Sequence, residues 1–296
     1  MNFRDLRYLV AVAEHRHFGR AAEACFVSQP TLSTQLKKLE EFLGVTLVER
    51  NNRQVMLTPV GESIVAQAQR VLREANQLVG IAEAHRDPYG GDFRLGIIPT
   101  VAPYFLPRVL APLRKAFPNL SLQLTESQTA TLTQLLKNGE LDAVVLALPL
   151  EDEQIEERVL YREPFYLAVS KKHAFARRAS VRKSDLGGQD VLLLEDGHCL
   201  RDQALEVCSA HSAVENTNFR ATSIETLRQM VAADVGVTLM PQLAMGGRQA
   251  GIRYVPFEGK APPHRDVGLC WRSTSTRADL LEDMAGVLAE LELTAD

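Results

Sequence analysis

A stretch that opens at Thr58-Pro59 and meets no further proline until Pro88 divides this chain into a small head and a larger remainder. Thr58 has the hydroxyl of an N-cap, and Pro59 suits a first helical position, where no intrahelical donor is lost. Ile64, Ala68, Val71, Ala75, Leu78 and Ala82 then recur at alternating four- and three-residue intervals, which keeps one apolar seam on a single helical face. The spacing predicts a linker helix over 59–87 that pairs with a second copy of itself; packing on its own chain is the alternative. Asp87-Pro88-Tyr89-Gly90-Gly91-Asp92 ends the helix and marks a boundary.

Ahead of the linker, residues 1–58 read as a winged helix-turn-helix. Phe3, Leu6, Leu9, Val10 and Ala13 give a first helix, and Gly19 to Cys25 a short second one. Ser28 then caps a helix with Pro30 in its first turn and Leu32, Leu36, Leu39 and Leu43 on one stripe, closed by Gly44. Its start carries Ser28, Gln29, Pro30, Thr31, Ser33, Gln35 and Lys37, side chains that suit base edges and phosphates in a major groove. Two short strands around Arg50-Asn51-Asn52-Arg53 read as a wing with Arg50 and Arg53 along the DNA backbone. A helical bundle with solvated polar faces is the bland alternative. The formal net charge of −4 is no sign of nucleic-acid binding, so double-stranded DNA, if bound, is held by geometry and a few placed cations.

Residues 92–296 alternate strand and helix, the pattern of an α/β fold with helices on the faces of a sheet. Strands are expected at Phe93 to Pro99, Leu120 to Thr125, Leu141 to Leu148, Phe165 to Ser170, Val191 to Leu194, Phe219 to Ala221, Val237 to Met240 and Val267 to Trp271. The expected division is two lobes, one over about 92–161 plus 267–296 and one over about 162–266, with ligands where strand ends meet helix starts. At 296 residues, 46% of them hydrophobic, the chain has material for several cores. MNFRDLRYLV lacks the pattern of a signal peptide and no apolar run is long enough to span a bilayer, so a cytoplasmic protein with no membrane partner is expected.

There, four cysteines read as sensory or catalytic rather than as a structural framework. Cys25 and Cys270 fall inside a predicted helix and strand and are taken as packing residues. Cys199 and Cys208 lie in Asp196-Gly197-His198-Cys199-Leu200-Arg201-Asp202-Gln203-Ala204-Leu205-Glu206-Val207-Cys208, where Leu200, Ala204, Leu205 and Val207 can form a helical apolar face. In a helix their α-carbons stand roughly 13 Å apart, whereas a disulfide needs about 4.4 to 6.8 Å. The pair bridges only if the helix is given up. Asp196 is expected to cap this helix with Cys199 at its third position, so that helix amides and the dipole favour a thiolate. Arg201 adds positive charge and His198 can relay a proton.

The blocks Phe18-Gly19-Arg20-Ala21-Ala22, Ser28-Gln29-Pro30-Thr31-Leu32-Ser33 and Leu57-Thr58-Pro59-Val60-Gly61, with the two-lobed remainder, resemble the LysR-type transcriptional regulators. Ile98-Pro99-Thr100-Val101, Gly139-Glu140-Leu141-Asp142, the Leu194 to Gln203 run with Cys208, and Phe219-Arg220-Ala221-Thr222-Ser223 resemble the peroxide-sensing members of that family. Two places depart from the pattern: Ala102, where glycine is common, and Asn51-Asn52 in the wing. The resemblance implies a periplasmic-binding-protein-like regulatory domain and a DNA-binding activator, not an enzyme, with hydrogen peroxide as signal and no cofactor or metal. It implies Cys199 as the peroxidatic and Cys208 as the resolving cysteine, and a peroxide pocket of Thr100, Thr129, Gly197, His198 and Asp202. A homodimer through the linker, a homotetramer, RNA polymerase and a cytosolic thiol reductant of the glutaredoxin or thioredoxin type are the implied partners. Three rivals stay open: a LysR-type regulator answering a metabolite in the inter-lobe cleft, a thiol peroxidase, and a zinc site of His198, Cys199, Cys208 and His211, whose spacing is not a usual zinc pattern.

Overall fold

The computed structural model describes residues 1–51, 54–209, 214–246, 251–259 and 261–291. The chain divides into two compact units, Met1–Glu83 and Ala84–Asp296.

In the first unit, α1 (Phe3–His15), α2 (Phe18–Ala24) and α3 (Gln29–Leu43) precede a two-stranded ribbon of β1 (Val48–Asn51) and β2 (Gln54–Leu57). Each helix start is fixed locally. Asn2 and Asp5 exchange side-chain and backbone bonds around the first turn of α1. His17 Nδ1 accepts from the amides of Gly19 and Arg20 at α2, and Ser28 Oγ accepts from the Thr31 amide at α3. The apolar stripes of α1 and α3, represented by Leu9, Val12, Leu32 and Leu36, meet in one core with Leu47, just ahead of the ribbon. Glu40 Oε1 accepts from the amides of Leu47 and Val48, tying α3 to the wing.

α2 and α3 end differently. α3 stops at Gly44, left-handed at φ 71°. After α2 the Val27 amide reaches the Ala22 carbonyl and the Phe26 amide the Glu23 carbonyl, a Schellman closure that puts Phe26 in the left-handed region at φ 56°. A side chain with a β-carbon costs roughly 1–2 kcal/mol there.

α4 (Pro59–Arg86) begins as its sequence requires, with Thr58 Oγ1 accepting from the Gly61 amide. A β-carbon on Gly61 would lie 2.1 Å from the Leu47 carbonyl oxygen, so only glycine lets the helix start so close to the wing. The apolar seam does not serve one purpose along its length. Ala68 is buried in the head's own core and Ile64 packs against it, whereas Val71 and Leu78 are exposed, Leu78 at 69%.

The second unit begins with β3 (Gly91–Ile97), α5 (Ala102–Ala116), β4 (Leu120–Glu126), α6 (Thr129–Lys137) and β5 (Ala143–Leu148). β6 (Ile155–Ser170) follows, then β7 (Asp190–Leu194), α7 (Cys199–Ser209), β8 (Val214–Ala221), α8 (Ile224–Ala232) and β9 (Thr238–Pro241). β10 (Ile252–Pro256), β11 (His264–Arg272) and α9 (Ala278–Ala289) complete it. One sheet runs β10-β6-β11-β5-β3-β4, with β9 also on β6; β7 and β8 form a separate parallel pair. β3 pairs in parallel with both β4 and β5, the arrangement expected of strands joined through helices.

Two apolar cores lie within this unit. Phe93, Phe105, Val145, Leu269 and Met284 belong to one; Phe165, Leu193, Leu227 and Leu239 belong to the other. β6 contributes to both, Ile155 and Leu160 to the first and Phe165 to Val169 to the second. The polar first half of β6 and the short β10 are strands that hydropathy alone does not announce. Cys270 is fully buried, and burial pushes its thiol up. Cys25 closes α2 rather than sitting inside it, half-buried, its thiol also raised by desolvation.

Candidate redox site and nucleic-acid interface

The buried strand β7 delivers a four-residue loop, 195–198, into α7. The loop needs glycine at its second turn residue. Gly197 has φ 93°, and a β-carbon there would lie 2.5 Å from Gln128 Oε1. Gln128 also donates from Nε2 to the Asp196 carbonyl at 3.4 Å, so the start of α6 is held against the loop. His198 is buried, with Nε2 4.0 Å from Glu195 Oε1, and its carbonyl accepts from the Arg201 amide.

Cys199 is the first residue of α7, not the third. It is half-buried and carries a free thiol. Its side chain packs against the core holding β3 and α5, while Leu200 and Ala204 of the same helix belong to the other core. Cys208 falls in the last turn of the helix, so the two α-carbons stand roughly 13 Å apart at the helical rise. The expected cap at Asp196 is absent for a clear reason: its carboxylate pairs with Arg201 Nε at 2.9 Å and with Arg220 Nη1 at 3.1 Å, and two guanidinium groups outbid a backbone amide. Arg201 is buried, donates from Nη1 to the Leu194 carbonyl and pairs through Nη2 with Glu215 at 2.9 Å. Its charge is already matched.

A buried cation coupled electrostatically to Cys199 is Arg265, on β11. Nε donates to Glu163 Oε2 at 2.7 Å, Nη1 to Thr100 Oγ1 at 3.0 Å and Nη2 to the Thr100 carbonyl at 3.1 Å. Both members of the ion pair are buried, and the second Glu163 oxygen accepts from the Leu243 amide. Burial works against the Arg265 charge, but Glu163, Tyr161 and Cys199 outweigh it and hold its pKa above the ordinary guanidinium value. Thr100 is buried and is not a cap; α5 begins at Ala102 after Val101. Because its hydroxyl oxygen accepts from Arg265, its own proton is left to donate elsewhere. Thr129 is the first residue of α6, and its hydroxyl is buried without a hydrogen-bond partner. Gln203, one turn beyond Cys199 on the same helical face, has a buried side-chain oxygen that is likewise unsatisfied. Asp202 is exposed.

The structure therefore links Thr100, Gly197 and His198 to the surroundings of Cys199, and Asp202, three residues further along α7, is exposed. Sequence reasoning missed Arg265, Glu163, Gln128 and Gln203. Glu163 and Arg265 sit among other charged residues in their strands, so no pattern in the sequence marks them as the buried pair. Among the described residues no three His, Cys, Asp or Glu side chains gather as a metal site; His211 lies outside them.

At the head, Ser28, Gln29, Pro30, Thr31 and Lys37 are exposed along the start and first turns of α3, and Ser33 and Gln35 are half-buried. Ser28 is engaged as the cap and shares a 2.8 Å bond with the Thr31 hydroxyl. Lys37 makes a loose 3.8 Å pair with Glu41. Arg50 belongs to β1; its side chain and residue Arg53 lie outside what is described.

Residues 3–62 match the model of the bacterial regulatory helix-turn-helix proteins of the lysR family, and residues 86–292 match that of the LysR substrate binding domain. The chain belongs to the LysR family. It is thus a helix-turn-helix regulator of transcription with an α/β domain of the LysR substrate-binding type. It is 48% identical to the DNA-binding transcriptional dual regulator OxyR of Escherichia coli K12 over 287 residues, covering 96% of this chain and 94% of that one. Full-length OxyR C199D of Pseudomonas aeruginosa superposes with a TM-score of 0.74 at 38% identity, covering 99% and 96% of the two chains. A Corynebacterium glutamicum OxyR cysteine mutant with H2O2 bound gives 0.67 at 36% identity, covering 97% and 91%. No described helix of this LysR-family chain is long and apolar enough to cross a membrane.

Proposed function

We propose that this LysR-family regulator is switched by hydrogen peroxide through Cys199 and Cys208 and controls genes of oxidative-stress defence. The observation that carries the reading is the free Cys199 thiol, coupled electrostatically to the buried Arg265 whose guanidinium binds the Thr100 hydroxyl. Thr100 is obliged to donate, and Thr129 holds an unused buried hydroxyl. Two small polar donors and a cation suit a ligand the size of peroxide. A relative solved with H2O2 bound supports the same ligand.

In the proposed reaction the Cys199 thiolate attacks one peroxide oxygen and the O–O bond breaks. The second oxygen takes a proton and leaves as water, and Cys199 becomes a sulfenic acid. The Cys208 thiol then attacks that sulfur, expelling a second water and closing the disulfide; a thiol reductant of the glutaredoxin or thioredoxin type resets it with two electrons. Thr100 and Thr129 hold the peroxide, Gly197 gives the loop its turn, and His198 and Asp202 serve proton movement. The bridge cannot close across an intact α7, so oxidation dismantles the helix.

α3 is the proposed reader of double-stranded DNA through Gln29, Thr31, Ser33, Gln35 and Lys37, with Arg50 and Arg53 on phosphates. The exposed Val71 and Leu78 on α4 support a homodimer through the linker helix. A homotetramer and contact with RNA polymerase complete the proposal. The test is mass spectrometry after peroxide treatment of the full chain. Wild type is expected to yield a 199–208 linked peptide, and Cys208→Ser to stop at a dimedone-trappable sulfenic acid on Cys199 and lose its transcriptional response. An oxidised wild type without that linkage would sink the reading.

A further inference from the structure

Phe26 is the most exposed large apolar side chain among the described residues, at 95%. Its backbone is left-handed, φ 56°, at the position of the α2 closure where glycine is the usual occupant; α3 closes with Gly44 in the same conformation. The ring adds nothing to the head's core, which is built without it. A strained position thus holds the side chain least suited to water, two residues before Ser28, in the turn that presents Gln29 and Thr31.

We infer that Phe26 reads DNA: its ring packs on the 5-methyl group of a thymine where α3 enters the major groove. That methyl is the one apolar mark the major groove displays, and an aromatic ring is among the side chains that recognise it. The left-handed turn aims the ring away from its own core, so the contact is made only when DNA is present. The inference rests on the reading of α3 as the DNA reader, and it adds a residue whose information is shape and apolar contact rather than hydrogen bonding.

The experiment begins with the full-length protein selecting duplexes from a random-sequence pool. If no sequence is enriched, the reading of α3 falls and this inference with it. With an enriched duplex, each thymine is replaced in turn by deoxyuridine, which lacks only the methyl. One replacement per half-site is expected to weaken wild-type binding roughly fourfold, the worth of one buried methyl. Phe26→Ala is expected to bind the thymine duplex more weakly and to be indifferent to that replacement. Phe26→Gly, matched to the left-handed backbone, should behave alike while melting no lower than wild type. Unchanged binding by Phe26→Ala, or a loss in which wild type is sensitive to no thymine methyl, overturns the inference and leaves the reading of α3 standing.

Discussion

α3 and α7 are helices of similar amphipathic design held in opposite ways. Both ends of α3 are fixed within its own sequence, by Ser28 at its start and Gly44 at its end, and Leu32, Leu36 and Leu39 are buried along one stripe. α7 gives up its cap, since Asp196 is drawn to Arg201 and Arg220, and it is fastened across space by the pairing of Arg201 with Glu215 on β8. Among its described apolar side chains only Leu200 and Ala204 are deeply buried. A helix that must present one unchanging surface is fixed by local chemistry. A helix that the proposed disulfide would take apart is held by contacts distant in sequence.

The magnitudes agree with that division. Closing a loop of about ten residues is worth roughly 2.7 kcal/mol in the chain-entropy model. Unpacking a buried leucine costs about 2–5 kcal/mol by itself. The proposed bridge is therefore formed at a deficit, and each ~1.4 kcal/mol of it raises the disulfide potential by about 30 mV, which keeps it within reach of a thiol reductant.

The contrast can be tested by substitution. The largest effect is expected at Leu36→Ala, which empties a fully buried site in the head and should cost about 3 kcal/mol in urea unfolding of that unit. Arg201→Met should cost about 2 kcal/mol through lost charged hydrogen bonds, felt locally as faster amide exchange over 199–209 and faster disulfide closure under peroxide. Exchange unchanged by Arg201→Met would show that α7 is fixed as α3 is. Ser28→Ala should lower head stability by about 1 kcal/mol, read from the thermal midpoint, without altering peroxide chemistry. Phe26→Gly is the smallest: relief of left-handed strain against added chain entropy should leave the head stabler by about 0.5 kcal/mol.

How legible each part was follows from how local its causes are. The caps at Ser28 and Thr58 and the stop at Gly44 were readable because the interacting groups lie within a few residues. Asp196 was misread for the converse reason: a helix-cap rule sees only neighbours, whereas Arg220 arrives from another strand. Arg265 stood beyond reach because it meets Thr100 from 165 residues away. Ile155 to Pro164 did not read as strand because its surface half carries Glu156, Glu157, Arg158 and Arg162, and only β11 beside it shows that these charges line an extended chain. The seam of α4 was legible as a helix but not in its uses, since burying Ala68 at home and exposing Leu78 depends on where the head ends.

β6 belongs to both cores of the second unit, and its pairing with β11 has one irregularity. Val267 faces Tyr161 and Gly268 faces Val159, leaving Leu160 as an extra residue. A strand shared in this way allows only some relative movements. Sliding by a single residue would turn every side chain of the strand to the wrong face, so translation of one lobe along the other is forbidden. Twisting at a bulge costs little, because the ladder is already interrupted there. In the proposed switch, a rebuilt α7 would be answered by an angle between the two cores that β6 joins, opened at the bulge rather than by a slide of the strand.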